Sequence, residues 1–131
     1  MSSGRLGSVS TQRPRRGRLS RSAEFERVFR QGRSHAGRDL VLYVFPRQQE
    51  GPPRLGLSVS RKVGGAVERN RVKRLLREAF AREAGRLPPG TDAVLVARPG
   101  ARELAEREGL AGIHRSLAEL VGRAARPGTE P

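Results

Sequence analysis

Residues 58–83 constrain the fold more than any other stretch, because one predicted helix there carries two opposed faces. Its apolar side chains recur with the spacing of an amphipathic helix and are Val72, Leu75, Leu76, Ala79 and Phe80. Its other side carries hydrogen-bond donors at the same spacing, namely Asn70, Lys73, Arg74 and Arg77. Between Arg61 and Arg77 the chain holds seven Lys or Arg residues and a single acid, Glu68, so like charges repel along the helix. The pattern predicts a helix that packs on a core with one side and binds a polyanion with the other.

The composition favours a nucleic-acid partner. The 131 residues include 27 Lys or Arg against 13 Asp or Glu, a formal net charge of +14, which concentrates nucleic acid or an anionic membrane surface around the protein. A membrane is the weaker prediction, because the longest apolar run, residues 40–45, has strand length and not the ~20 residues of a spanning helix. No apolar segment follows the N-terminal arginines as it would in a secretory signal. We expect a cytoplasmic protein without membrane contact.

The residue types that carry catalysis in other proteins are absent or scattered. The sequence has no Cys, and His35 and His114 stand in no metal-ligand spacing. The acids form no paired arrangement for general acid and base catalysis. Gly64 and Gly65 are not followed by the Gly-Lys-Ser/Thr of a nucleotide-binding loop. We therefore expect no catalytic residue and no metal site in the protein itself.

The chain divides into an arm, a domain and a tail. Residues 1–20 are rich in Ser, Gly and Arg and predict a disordered basic arm. The length and hydrophobic content of the remainder suit a single α/β domain, residues 21–125, which binds RNA. Residues 126–131 form a C-terminal tail.

A short amphipathic helix opens the domain. Ser20 or Ser22 can cap it and Gly32 ends it. Phe25 and Phe29 fall on one face of this helix, four residues apart. The two rings either anchor the helix to the core or stack on unpaired nucleotides, and both interpretations stay open.

Three strands are predicted from β-rich runs. Residues 40–45 form a strand with both faces apolar, residues 54–60 form a second strand, and the Gly- and Pro-containing loop between them predicts a hairpin. Residues 91–97 form a third, buried strand beside the second, so that the two strands and the basic helix make a parallel βαβ unit. A short helical segment, residues 101–106, and a last helix from about residue 110 to 125 end the domain, with Gly109 between them. The apolar residues of the last helix hold the helical period, so we expect this helix to cover the sheet.

One face of the second strand lacks bulky side chains. Gly56, Ser58 and Ser60 alternate there with apolar residues. A ligand can approach such a face closely and accept hydrogen bonds from the two hydroxyls, although small residues at a solvent-facing sheet edge explain it equally well. With Tyr43 from the first strand, we expect this face, the Phe25–Phe29 pair and the basic helix to wall a single cleft.

The basic helix also resembles a known family. The run Arg69-Asn70-Arg71-Val72-Lys73-Arg74-Leu75-Leu76-Arg77-Glu78 is similar to the signature of the protein subunit of bacterial ribonuclease P, which is Arg-Asn-x-x-Lys-Arg followed by an Arg. The similarity continues upstream through residues 55–67 and back to residues 25–29 and 40–43. In all it covers residues 18–121 in the order of the family.

The resemblance implies a particular fold. Members of this family form an α/β (α+β) two-layer sandwich with the order α-β-β-β-α-β-α, a mixed sheet and a basic central helix. Their βαβ crossover is left-handed, against the usual preference. The resemblance also implies a short first strand near Ser34-His35-Ala36, where the residues themselves indicate only a turn.

The resemblance further implies a function as the protein subunit of a ribonucleoprotein endoribonuclease. Such a subunit binds the catalytic RNA and the 5′ leader of precursor tRNA, and it assists removal of the leader by the RNA subunit, which binds most of the Mg²⁺. No protein partner is implied. The positions matching RNA-binding residues are Arg61, Lys62, Arg69, Asn70, Arg71, Lys73, Arg74 and Arg77, and those matching the leader cleft are Phe25, Phe29, Tyr43, Ser58 and Ser60.

Two other classes of protein fit part of the sequence. A structural RNA-binding protein of the ribosomal type needs the basic face but no aromatic groove, so the groove distinguishes the two. An autonomous nuclease would cleave RNA without an RNA partner, and the scattered acids argue against it.

Overall fold

The computed structural model describes residue 19 and residues 22–47 and 50–125. The predicted tail and all of the predicted arm except Leu19 therefore lie outside the described residues. The elements in chain order are α1 (Ser22–Gln31), β1 (Arg33–Ala36), β2 (Leu40–Pro46), β3 (Arg54–Val59), α2 (Ala66–Glu83) followed by a 3₁₀ turn (Ala84–Arg86), β4 (Thr91–Ala97) and α3 (Gly100–Ala125).

The predicted order α-β-β-β-α-β-α is confirmed, including the short first strand. The four strands form one mixed sheet in the order β1-β2-β4-β3. β2 pairs antiparallel with both β1 and β4, and β3 pairs parallel with β4. The predicted parallel βαβ unit of β3, α2 and β4 is therefore present. The handedness of its crossover stays a prediction.

The predicted hairpin between β2 and β3 is wrong, because β4 lies between them. The two strands do run in opposite directions, since β2 is antiparallel and β3 parallel to β4. Burial explains the arrangement. Six of the seven residues of β4 are buried, so this strand gains most from a central position with neighbours on both sides.

The two faces of the sheet are covered differently. We call the first the core face: Leu40, Leu42, Leu55 and Leu95 pack there with apolar residues of α2 and α3 in the main hydrophobic cluster. We call the second the groove face: a smaller cluster joins Val94 and Tyr43 to residues of α1. Because side chains alternate along a strand, Val41, Tyr43 and Phe45 of β2 share the groove face.

Leu19 belongs to the domain, although the predicted arm extended to residue 20. Its side chain is buried in the smaller cluster with Val28 and Val94. Its backbone N–H also donates to the carbonyl oxygen of Leu55 at 2.8 Å. A buried leucine with a backbone hydrogen bond to β3 is part of the fold, so the ordered domain includes residue 19.

A buried ionic cluster holds α1 against the sheet. Asp92 of β4 is fully buried, and its two carboxylate oxygens each accept a hydrogen bond of 2.9 Å from Arg54 of β3. Arg47 donates to the same carboxylate at 3.0 Å, and Glu24 of α1 lies 3.3 Å from Arg54. The hydrogen bond with Asp92 raises the pKa of Arg54 above its ordinary value. The cluster thus joins two strands, a loop and the first helix.

A second polar cluster joins α2 to α3. The carboxylate of Glu83 lies 2.6 Å from Nε2 of His114 and accepts a hydrogen bond of 2.5 Å from Arg86. Burial raises the pKa of Glu83, but the hydrogen bonds with Arg86 and His114 lower it overall below its ordinary value. α3 itself is broken at Gly109, which has φ 59° and ψ −144°, so the two predicted helical segments meet there.

Candidate nucleic-acid interface

The basic side of α2 is oriented by its apolar side. Val72, Leu76, Ala79 and Phe80 are buried in the main cluster, and the predicted core stripe is thereby confirmed. The opposite side of the helix faces outward. The predicted RNA-binding residues on it are exposed, or half-buried in the case of Lys73: Asn70, Arg71, Lys73, Arg74 and Arg77.

Four donors on this side of α2 have no partner among the described residues. The side chains of Asn70, Arg71, Lys73 and Arg74 make no hydrogen bond or ion pair within that part of the chain. The one acid in the first turn, Glu68, accepts a hydrogen bond of 2.9 Å from the backbone N–H of Gly65. The helix face is therefore left with uncompensated positive charge, which an anion would relieve.

Arg69 has a different role from its neighbours. It is half-buried, and its Nε donates to the carbonyl oxygen of Gly64 at 3.2 Å. At Gly64 a Cβ atom would lie 2.8 Å from Cβ of Glu68, so this position requires glycine. Arg69 and Gly64 therefore fix the turn that leads from β3 into α2, and Arg69 is only partly available to a ligand.

The predicted cleft residues Phe25, Phe29 and Tyr43 lie together on the groove face. The ring of Phe29 meets that of Tyr43 edge to face, with centroids 4.9 Å apart and an interplanar angle of 82°. The rings of Phe25 and Phe29 have centroids 6.4 Å apart. Phe25 lies over β3, where a Cβ on Gly56 would come within 2.6 Å of Cζ of its ring. α1 therefore crosses the groove face from β3 to β2.

The two aromatic residues of α1 differ in exposure. Phe25 is half-buried against Gly56 and anchors the helix. Phe29 remains 39% exposed, although it packs on Tyr43. An exposed ring held edge to face by a neighbour is a platform on which a base can stack. Phe29 is therefore the more accessible ring of the pair, and its stacking on a nucleotide stays a prediction.

A second row of residues crosses the groove face beside α1. In the strand register, four residues lie side by side across the sheet: Ala36 of β1, Val41 of β2, Val96 of β4 and Ser58 of β3. Ala36 is exposed, and Val96 and Ser58 are half-buried. This row, which we call the groove floor, lies on the same face as the row of Tyr43 and Gly56 beneath α1 and is two residues further along the strands.

The structure separates residues that we expected to wall one cleft. The apolar side of α2 packs on the core face, whereas Phe25 and Tyr43 lie on the groove face. The sheet therefore stands between the basic helix and the aromatic residues. The loop between β3 and α2 connects the sheet to the basic helix and so lies between the two surfaces. Its residues Ser60, Arg61 and Lys62 are exposed. Oγ of Ser60 accepts a hydrogen bond of 3.2 Å from the backbone N–H of Lys62 and shapes this loop.

The described residues offer no evident place for a metal ion or a membrane span. They contain no group of three or more His, Cys, Asp or Glu side chains that could hold a metal. No helix in the described part of the chain is both long and apolar enough to cross a bilayer.

Fold and surface together define a class: a small, strongly basic α+β protein whose exposed, unpaired donors and aromatic groove suit nucleic acid. Comparison with known proteins is more specific. The family described as Ribonuclease P matches residues 14–124. The chain belongs to this family, which comprises the protein subunit of a ribonucleoprotein endoribonuclease.

Individual relatives agree with this assignment. The ribonuclease P protein component of Shouchella clausii is 50% identical over 91 residues, which cover 70% of this chain and 75% of that protein. That of Brevibacillus brevis is 43% identical over 107 residues, 82% of either chain. Among solved structures, the RNase P protein of Staphylococcus aureus superposes with a TM-score of 0.73 at 32% identity, covering 82% of this chain and 94% of that one. The Thermotoga maritima protein gives 0.73 at 33% identity, covering 82% and 97%.

Proposed function

We propose that this protein binds the catalytic RNA of ribonuclease P and the 5′ leader of precursor tRNA, and so assists RNA-catalysed removal of the leader. The observation that carries the proposal is the outward side of α2, where Asn70, Arg71, Lys73 and Arg74 have no partner among the described residues. Guanidinium, ammonium and amide donors in a row suit phosphate oxygens, and their mutual repulsion falls when an RNA backbone lies against them.

The two surfaces suit two kinds of RNA. The α2 side is a convex row of donors without an exposed aromatic ring, which fits the phosphates of a folded RNA. The groove face offers Phe29 and Tyr43 beside the small residue Ser58, which fits unpaired nucleotides whose bases stack. We therefore assign the catalytic RNA to α2 and the leader to the groove. Ser60, Arg61 and Lys62 lie between the two surfaces and can contact either RNA.

The metal ions of the reaction belong to the RNA in this proposal. Mg²⁺ can be held largely by phosphates and water, which the RNA supplies in abundance. The protein instead holds RNA backbones near one another, which lowers the concentration of Mg²⁺ that the RNA needs to bind its substrate. The cytoplasm, where tRNA precursors are made, is the proposed place of action.

The decisive experiment is cleavage of precursor tRNA at low Mg²⁺ by a cognate catalytic RNA, with and without the protein. We expect strong stimulation by the protein and no cleavage by the protein alone. A ribosomal-type RNA-binding protein would bind RNA without stimulating cleavage, and that result would refute the proposal.

A pair of variants on α2 tests the proposed contact. Arg74→Ala should weaken binding to the catalytic RNA and reduce the slope of log K against log salt by about 0.9, the value of one phosphate contact. Arg82→Ala is the matched control, because Arg82 lies on the same helix but is paired with Glu78 at 3.4 Å. Equal salt slopes for the two variants would show that Arg74 does not contact a phosphate of the catalytic RNA.

A further inference from the structure

One peptide group between β3 and α2 is held at both of its ends by charged side chains. Nε of Arg69 donates to the carbonyl oxygen of Gly64 at 3.2 Å, and the carboxylate of Glu68 accepts a hydrogen bond of 2.9 Å from the backbone N–H of Gly65. That carbonyl and that N–H belong to the same planar unit, because one C–N bond joins the two glycines. Two adjacent residues of opposite charge therefore fix the orientation of one rigid group. We call this arrangement the peptide clamp.

The peptide clamp lies where the β3–α2 loop, α2 and α3 meet. Gly64 has φ 157°, a conformation that other residues rarely adopt, and Gly65 is the N-cap residue of α2. The carbonyl oxygen of Gly65 accepts a hydrogen bond of 2.9 Å from the backbone N–H of Arg69, which begins the helix. The carboxylate of Glu68 also lies 3.9 Å from the guanidinium of Arg102 on α3. The clamp thus ties the start of the basic helix to a second helix.

The loop that precedes the peptide clamp carries two unpaired cations. The side chains of Arg61 and Lys62 are exposed and make no hydrogen bond or ion pair within the part of the chain that the structure describes. The loop backbone is wound into turns, since the N–H groups of Val63 and Gly64 donate to the carbonyl oxygens of Ser60 and Arg61 at 3.0 and 3.1 Å. Val63 is buried in the main cluster. The loop is therefore held by strand β3, by Val63 and, at its end, by the clamp.

Arg69 differs in this respect from the cations that follow it on α2. Arg71, Lys73 and Arg74 have no partner among the described residues, whereas Arg69 is half-buried and donates its Nε–H inside the protein. A bidentate contact with phosphate uses two parallel N–H groups of one guanidinium. At Arg69 one of these groups is already engaged with the backbone. The geometry of Arg69 is that of an arginine that supports a loop.

We propose that Arg69 and Glu68 are positioning residues for the catalytic RNA and that neither contacts a phosphate. By fixing the Gly64–Gly65 peptide, they hold Arg61 and Lys62 in a constant arrangement relative to the cations of α2. Holding these groups in place before binding reduces the entropy cost of association. The inference rests on the proposed function, and it gives the single acid of the basic stretch a part in RNA binding.

Two substitutions at Glu68 separate its charge from its hydrogen bond. Glu68→Ala removes the negative charge together with the acceptor for the N–H of Gly65. Glu68→Gln removes the same charge but keeps a side-chain oxygen that can accept this bond. If the charge alone matters, both variants bind the catalytic RNA equally well and more tightly than the unsubstituted protein.

We expect Glu68→Ala to bind the catalytic RNA roughly ten-fold more weakly than Glu68→Gln, which is the cost of ordering about one further residue on binding. Glu68→Gln should bind at least as tightly as the unsubstituted protein. Both affinities are measured with the full chain at one salt concentration. Equal affinities of the two variants would overturn the inference.

Arg69→Ala gives an independent measurement. The loop cations still reach the RNA in this variant, but the RNA has to order them, so the number of phosphate contacts stays the same. We expect binding to be roughly ten-fold weaker, with an unchanged slope of log K against log salt. The comparison is Arg71→Ala, which removes an unpaired cation and should reduce the slope by about 0.9. The same reduction in Arg69→Ala would make Arg69 a phosphate ligand and refute its positioning role.

Hydrogen exchange in the free protein reports on the peptide clamp directly. The amide of Gly65 should exchange faster in Glu68→Ala and in Arg69→Ala than in the unsubstituted protein, while the amides of β4 keep their protection. In Glu68→Gln the amide of Gly65 should keep its protection as well. An unchanged rate at Gly65 in Glu68→Ala would contradict the clamp. If Arg69→Ala is poorly folded, the two Glu68 variants decide the question.

Failure of this inference is distinguishable from failure of the proposed function. If the unsubstituted protein neither binds the catalytic RNA nor stimulates cleavage of precursor tRNA, the proposed function fails. If it does both and the two Glu68 variants bind the catalytic RNA equally well, only the inference fails.

Discussion

Gly56 and Phe25 show how one missing side chain sets the position of a helix. The ring of Phe25 occupies the space that a Cβ on Gly56 would need, at 2.6 Å from its Cζ. α1 can therefore lie close to β3, and Phe29 is then carried to Tyr43. The sequence indicated a face of small residues on β3. It did not show that the group packed against Gly56 on that face is the ring of Phe25 from the same protein.

Gly56→Ala should lower the free energy of unfolding by about 1–3 kcal/mol, because the added methyl group forces Phe25 and α1 away from the sheet. Leader affinity should fall with it, and urea titration measures the stability. Gly85→Ala is the control, since a Cβ at Gly85 meets no atom within 4 Å. Similar losses in the two variants would mean that the close contact at Gly56 is not responsible.

Phe29→Ala separates binding from stability. The side chain is 39% exposed, so its removal should reduce stability by only about 0.5–1.5 kcal/mol, the value of an aromatic pair. Leader binding should weaken by about 1–3 kcal/mol if one base stacks on the ring. Binding titrations with long-leader and shortened-leader precursors measure the second value. A stability loss as large as that of Phe25→Ala would assign Phe29 to the core.

At the scale of elements, the periodicity of apolar residues predicted helix α2 correctly, but it did not predict which strands pair with each other. The buried residues of α2 follow the helical spacing, so one window of sequence contains the whole signal. β1 has the sequence Arg-Ser-His-Ala, without apolar alternation, and exists because it pairs with β2. The predicted hairpin between β2 and β3 was wrong for the same reason. Which strands become neighbours depends on burial over the whole sheet and not on their separation along the chain.

The same limit applies to the candidate site. The row of donors on α2 was visible as a sequence pattern, whereas the contacts of Phe25 with Gly56 and of Phe29 with Tyr43 join separate elements and arise only from the fold. The roles of Asp92 and Arg54 were not foreseen either. A single Asp in a buried strand signals a buried partner, but sequence spacing does not identify that partner.

Asp92→Ala should detach α1 from the sheet. The substitution leaves Arg47 and Arg54 without their shared carboxylate, and breaking a buried ion pair in this way costs about 3–5 kcal/mol. Thermal or urea unfolding measures the loss, and hydrogen exchange should show faster opening of α1. Glu119→Ala, an exposed acid on α3, should change stability by less than about 0.5 kcal/mol. Unchanged exchange in α1 would argue against the anchoring role.

On the scale of the whole molecule, acidic and basic side chains occupy different places. The acids mostly form pairs or clusters such as those of Asp92, Glu83 and Glu108, so they stabilise the protein where RNA is not expected to bind. Among the described residues, the cations without a partner include Arg61 and Lys62 of the β3–α2 loop and Arg71, Lys73 and Arg74 of α2. Much of the positive charge that the described residues leave unpaired therefore lies on surfaces where RNA could neutralise it.

The cluster around Glu83 gives the fold a predicted acid dependence. Because the pKa of Glu83 is lowered in the folded protein, its contribution to stability is present above its ordinary value of 4.5 and is lost as pH falls through the lowered value. Glu83→Gln should therefore lower stability at neutral pH by about 1–3 kcal/mol. The difference from the unsubstituted protein should shrink below about pH 4.5, as urea titrations across that range would show. A constant difference would contradict this role of the carboxylate.

The central position of β4 has a consequence for synthesis on the ribosome. In the described sheet β3 pairs with β4 alone, and β4 is the last of the four described strands to emerge. Before it does, the nascent chain holds only the β1–β2 hairpin and an unpaired β3, and an isolated hairpin is marginally stable. The apolar side of α2 thus stays exposed to chaperones until residues 91–97 leave the exit tunnel. We therefore expect this domain to complete its folding only after residues 91–97 have emerged, as a cooperative transition typical of a small single domain.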